Sequence, residues 1–112
     1  MKDDNPLTMS AADFEDAAEL FGVLSTPIRL RIIGALCQGE KNVSQLLHDI
    51  DVSQPNMSQH LNVLYRAGVV AKRRHGAQVF YSIADESVVR VCKAVCTQAS
   101  QGRNQGREQQ QG

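Results

Sequence analysis

Residues 53–70 read SQPNMSQHLNVLYRAGVV. Ser53 is a helix-capping residue type. Met57, Leu61 and Leu64 recur at helical spacing and make one narrow apolar stripe. Ala67-Gly68 is a C-terminal stop, so the stretch predicts a helix over about 54–67. Its other face carries Gln54, Asn56, Ser58, Gln59, Asn62 and Arg66, with no acid anywhere along it. A solvated face normally carries Glu and Lys. Amides donate and accept in a fixed pair, as adenine's major-groove edge requires, and missing carboxylates avoid repulsion from phosphate. Taken alone, a polar helix face is simply a wet one; the neighbouring segments decide.

Upstream, Asn42 caps a short helix with Val43, Leu46, Leu47 and Ile50 inward, and Gln45 completes a capping box. A two-residue break, Asp51-Val52, follows. Val52 and Met57 occupy the positions of a hydrophobic staple, which fixes the angle of entry into the next helix. Downstream, β-prone runs at about 69–74 and 79–83 flank His75-Gly76-Ala77-Gln78, a hairpin connection. Lys72-Arg73-Arg74-His75 leads into its tip. Helix, tight turn, helix and basic hairpin in this order make a winged helix-turn-helix that binds duplex DNA. The N-terminal half of such a second helix reaches the bases, so Gln54, Asn56, Ser58 and Gln59 are the base-reading candidates, with Asn62 extending the row. Arg66 is a phosphate candidate. Lys72, Arg73, Arg74 and His75 form a wing for backbone or minor groove. His60 either reaches a phosphate, supports the turn, or is a packing histidine.

Three more helices complete the chain. Ser10 caps one whose apolar residues are Phe14, Ala17, Ala18, Phe21 and Leu24. Ser25-Thr26-Pro27 ends it and opens another, about 27–38, apolar nearly all round and therefore central. Asp85 caps a last helix, about 86–98, with the stripe Val88, Val91, Cys92 and Val95, flanked by Val89 and Cys96. The expected order is α-α-α-α-β-β-α, mainly α with a small β-hairpin, in one domain over 10–99. Residues 1–9 read as a flexible arm. Residues 100–112, SQGRNQGREQQQG, have almost no apolar groups to offset ordering entropy and read as a disordered tail.

Twelve acids balance twelve bases. The distribution is uneven: residues 1–25 carry −5, residues 26–84 carry +4, and the remainder +1. The local patch, not the total, meets phosphate. No apolar run is long enough to span a bilayer, and no signal core opens the chain, which reads as cytoplasmic. Nothing places a nucleophile beside a general base, and no glycine-rich phosphate loop occurs, so the reading is not an enzyme and needs no cofactor. A protein-interaction module on the same fold is the alternative outside DNA binding. A redox-sensing winged helix of the MarR type is the alternative within it.

The segments LSTPIRLRIIGAL (24–36), SQPNMSQHLNVLYRAGVV (53–70) and RRHGAQVFYSI (73–83) resemble the ArsR/SmtB family of bacterial repressors, over about Phe14 to Val95. The resemblance implies a homodimer built from the first and last helices, and a repressor that leaves its operator when an inducer binds. It implies no family metal site. Where arsenic and cadmium members place Cys-x-Cys, this chain has Asn42, Val43 and Ser44. Where zinc and nickel members use histidine in the last helix, this chain has Asp85 and Glu86 but no histidine.

Cys37, Cys92 and Cys96 remain, the last two one helical turn apart. The sulfide-responsive branch of the family joins a cysteine of the central helix to one of the last helix, and GEKNVSQL and GAQVFYSI resemble that branch. Its central cysteine aligns with Gly34, and Cys37 lies one turn later. Three readings stay open. Cys37 with Cys96 or Cys92 forms a thiol switch for persulfide or oxidants; all three thiolates bind arsenite or a soft metal; or the three are small buried apolar groups.

Overall fold

The computed structural model describes residues 8–111, with side chains to Arg103. Five helices and three short strands follow in the order α1 (Ala11–Val23), α2 (Pro27–Leu36), β1 (Lys41–Asn42), α3 (Val43–Asp49), α4 (Gln54–Arg66), β2 (Val70–His75), β3 (Gln78–Ile83) and α5 (Glu86–Gln111). Local chemistry sets the boundaries. Ser10, Thr26, Asn42 and Ser53 each accept a hydrogen bond from the backbone N–H three residues on, which satisfies an orphan donor of the first turn. Asn42 and Gln45 close their capping box at 2.8 Å in both directions. Asp85 accepts from the Ser87 N–H at 3.0 Å at the start of α5.

The core is one apolar cluster. Ile32 and Ile33 of α2, Leu46 of α3, Met57, Leu61 and Leu64 of α4, Val69, Val70 and Val88 are buried together. Val52 packs against the same cluster, as the staple requires. Gly68 takes φ 79° just past α4, a left-handed conformation that a side chain disfavours, and turns the chain into the wing.

The wing is a three-stranded antiparallel sheet in the order β1-β3-β2. The pairs Val70–Ile83 through His75–Gln78 zip β2 to β3, and Lys41–Tyr81 and Asn42–Phe80 add β1. The third strand corrects the two-stranded expectation. Two residues offer no alternation to read, and β1 exists because the far edge of β3 needs partners for its backbone. The connection is tighter than expected: His75 and Gln78 are paired, and Gly76-Ala77 alone make the turn, with Gly76 at φ 65° as a type II′ turn has.

Three further differences concern the helices. α2 stops at Leu36, and Cys37 and Gln38 form a turn before Gly39. α1 fully buries none of its residues: Phe14 is 47% and Phe21 60% exposed, and the helix meets the core at its C-terminal end through half-buried Leu20 and Val23 and the buried cap Leu24. A helix at the rim of one chain has a core on one end only. α5 continues to Gln111, through the segment expected to be a disordered tail beyond 99. Gln, Arg and Glu are good helix formers and carry the backbone past the last apolar residue. Of the arm expected over 1–9, residues 1–7 lie outside the described residues.

Met57, Leu61 and Leu64 are fully buried, so truncation opens a cavity under α4. Leu61→Ala is expected to cost about 2–5 kcal/mol in urea unfolding, whereas Asn62→Ala, one residue away and exposed, costs less than about 0.5 kcal/mol.

Candidate nucleic-acid interface

Burial of the Met57–Leu61–Leu64 stripe turns the opposite side of α4 to solvent. Gln54, Asn56, Ser58, Gln59, Asn62 and Arg66 are all exposed. None of these six is held by a side-chain hydrogen bond or ion pair among the described residues, so their amides and hydroxyls are available. Arg66 shares a groove with Asp16 and Glu19 of α1, so the end of α4 faces the acidic helix.

His60 is different. It is half-buried, and its Nδ1 accepts from Arg29 Nε at 3.2 Å. Burial first, and the Arg29 charge second, hold its pKa below 6.5. Its Nδ1 is thus engaged within the protein, which favours the supporting role over a phosphate contact through that atom.

The wing's basic run divides in the same way. Arg73 makes a bidentate ion pair with Glu40, 2.7 Å at each oxygen, and lies 5.2 Å from the Phe80 ring. Glu40 is held below its usual carboxylate pKa, chiefly by the hydrogen bond from Arg73. Lys72 stacks its ammonium 4.3 Å from the Tyr65 ring, fastening β2 to α4. His75 meets Phe80 edge-on. Arg74 makes no ion pair among the described residues. Sequence reasoning put the four together; the structure separates an anchored pair, Lys72 and Arg73, from the tip. Glu40, Tyr65 and Phe80 do the anchoring; Glu40 stands 33 positions from Arg73, and the other two meet their cations only once α4, β2 and β3 are packed together.

On the other side of the molecule, α1, α2 and α5 enclose an open apolar groove of about 340 Å³ lined by Phe21, Leu24, Pro27, Leu30, Val91 and Val95, with Cys92 and Cys96 in its wall. Cys92 is half-buried; Cys37 and Cys96 are exposed. Within a single chain, therefore, Cys37 and Cys96 are not buried among apolar groups. Burial, then the nearby Cys96 and Cys37 sulfurs, push the Cys92 thiol up. Cys37 lies in a separate groove that it shares with Glu86 and Val89 of α5. Among the described residues no group of three or more His, Cys, Asp or Glu is arranged to hold a metal ion. No described helix is long and apolar enough to cross a membrane.

This geometry agrees with known proteins. The profile of the bacterial regulatory protein, arsR family, matches residues 26–72. A biofilm growth-associated repressor of Xylella fastidiosa is 35% identical over 101 residues, covering 87% of this chain and 89% of its own. The chain belongs to the ArsR family. It is thus a DNA-binding transcriptional repressor on a winged helix-turn-helix, and not an enzyme. Two solved structures share the fold at similar coverage. The homodimeric winged helix-turn-helix DNA-binding domain of Mb0332 from Mycobacterium bovis superposes with TM-score 0.72 at 29% identity, over 89% of this chain and 91% of that one. Reduced HlyU from Vibrio cholerae gives 0.69 at 28%, over 75% and 88%.

Two measurements follow. Arg74→Gln should lower the slope of log affinity against log salt by about 0.9, one phosphate contact, and Arg73→Gln by distinctly less, because Glu40 already matches its charge. Equal losses would show that the Glu40 pair opens on DNA. For pH, a histidine whose pKa is depressed on folding adds stability that is full above the unfolded value of 6.5 and is lost as pH falls through the folded value. The melting temperature should therefore drop between about pH 7.5 and 5.5, and drop less in His60→Asn, which has no proton to gain.

Proposed function

We propose that the repressor binds its operator as a homodimer and is released when Cys37 and Cys92 are joined by a sulfane-sulfur donor or oxidant. The observation that carries this reading is the placement of thiols from two different elements: Cys37, after α2, shares a groove with Glu86 and Val89 of α5, and Cys92 stands on that helix one turn past Val89. Cys92, raised by burial, is a poor first nucleophile. The exposed Cys37 thiolate takes one sulfane sulfur from a hydropolysulfide, whose chain leaves shorter by one sulfur. The Cys92 thiolate then attacks the inner sulfur of that persulfide, a disulfide forms and hydrosulfide departs. Cys96, one turn beyond Cys92, is the alternative resolving thiol. The arsenite or soft-metal reading is weaker, because one chain brings no three-ligand cluster together among the described residues.

Dimerisation is supported by the apolar surface that one chain leaves uncovered: Phe14 and Phe21 on α1, Val91 and Val95 on α5. Mb0332, similar over most of this chain, is homodimeric. In such a dimer Gln54, Asn56, Ser58 and Gln59 read base edges in successive major grooves, with Asn62 and Arg66 along the same helix and the wing tip, Arg74 and His75, on backbone or minor groove. The reading helices must stand about 34–36 Å apart, one DNA turn. Tying the end of α2 to α5 disturbs that span.

The test is operator affinity before and after hydropolysulfide, with intact mass. Release is expected to weaken affinity by more than about tenfold, the loss of roughly 1.4 kcal/mol of contacts. The adduct should map to Cys37 and Cys92, and Cys37→Ser should stay bound. Unchanged affinity, or no mass change at any cysteine, overturns the thiol reading; an arsenite–thiolate absorbance band would replace it with the metal one.

A further inference from the structure

Arg29 joins α1, α2 and α4 by polar contact. It stands in the first turn of α2 and is half-buried. Its Nη1 donates to the carbonyl of Val23, the last residue of α1, at 2.8 Å. Its Nε donates to Nδ1 of His60, in the middle of α4, at 3.2 Å. The first contact satisfies a carbonyl that a helix end leaves without a partner. The second requires an unprotonated Nδ1, so the ring proton sits on Nε2. Leu24, Pro27 and Leu30, from the corner that Arg29 clamps, line the groove beside Cys92 and Cys96.

The apolar seam between α2 and α4 cannot do this alone. Ile32 and Ile33 against Met57, Leu61 and Leu64 hold the helices together, but hydrophobic attraction is non-directional and tolerates small rotations. A guanidinium with two fixed bonds does not. His60 follows Gln59 directly and lies one turn from Asn56, so the rotation it fixes is that of the reading row.

We propose that Arg29 is a positioning residue for DNA recognition: through His60 it sets the rotation of α4 against the α1–α2 corner, and touches no DNA itself. The proposal rests on the reading of α4 as the base-reading helix, so Gln59→Ala is included as a separate arm. The experiment compares operator and random-duplex affinity, each across salt, for reduced full-length protein and the variants Arg29→Lys, His60→Leu, the double variant, and His60→Asn, which keeps an acceptor near the Nδ1 position.

Arg29→Lys and His60→Leu should each weaken operator binding about tenfold, the worth of one hydrogen bond to a charged group, while random-duplex affinity and salt slope stay put. The double variant should be no weaker than either single one, since both remove the same bond. His60→Asn should recover most of the loss. A long-range ¹H–¹⁵N spectrum should show the Nε2–H tautomer in the wild type and a mixed tautomer in Arg29→Lys, a readout that holds whether or not a variant is less stable. Additive losses, failure of His60→Asn to recover binding, or a tautomer unmoved by Arg29→Lys overturns the proposal. So does an equal loss on random duplex with a salt slope lower by about one, which would make Arg29 or His60 a phosphate contact. If Gln59→Ala binds like the wild type, the base-reading assignment fails on its own arm, and the cycle and spectrum still decide Arg29.

Discussion

Complete burial of Met57, Leu61 and Leu64 decides which side of α4 turns to solvent. Those three positions touch α2 and α3 through Ile32, Ile33 and Leu46, and the stripe they form is narrow. Everything off the stripe must face water or a ligand. That single constraint converts a list of amides and hydroxyls into a presented surface. It also explains why acids are missing there: the row is displayed as a block, and one carboxylate in it would repel phosphate along the whole edge. The caps at Asn42 and Ser53 and the staple at Val52 are subordinate devices, fixing the angle at which the stripe meets the core.

Electrostatics in the wing follow a division of labour that charge counting hides. Arg73 spends its charge on Glu40, and Lys72 leans on Tyr65. Both pairs are exposed and add little to stability by themselves. Their effect is geometric. Glu40 precedes β1, Phe80 belongs to β3 and Tyr65 to α4, so the two cations tie the root of the hairpin to its neighbours. A wing anchored at its root can hold Arg74 and His75 at a defined distance from α4, which a freely swinging hairpin could not.

Much of this was legible in residues 42–83 because the determinants are local. Asn42 with Gln45, Ser53, Gly68 and the period of the α4 stripe each act within a few residues, and each stands where the pattern puts it. What escaped reading is non-local. β1 is two residues long and exists only by pairing with β3, almost forty residues on. The Arg29–His60 bond spans 31 positions and Arg73–Glu40 spans 33, and no period or motif announces either. The exposure of Phe14 and Phe21 escaped for another reason: helical spacing says which side is apolar, not what covers it. The length of α5 escaped because composition argues about packing, whereas backbone propensity can extend a helix beyond its last apolar residue.

The uncovered apolar side of α1 and α5 and the position of Cys92 are best understood together. A chain of this size buries a modest core, and here the core stops at Leu24 and Val88. Val91, Cys92 and Val95 continue the α5 stripe outward from Val88, into the groove against Phe21 and Leu30. Cys92 thus sits where the chain's own core ends and the exposed apolar face begins. Chemistry at that border changes packing on both sides of it. The bond proposed from Cys92 to the end of α2 would pull on the core through Leu36, and on the exposed face through Val91 and Val95. A thiol deeper in the core would be inaccessible, and one on a wholly wet face would move nothing; the border is where access and mechanical consequence coincide.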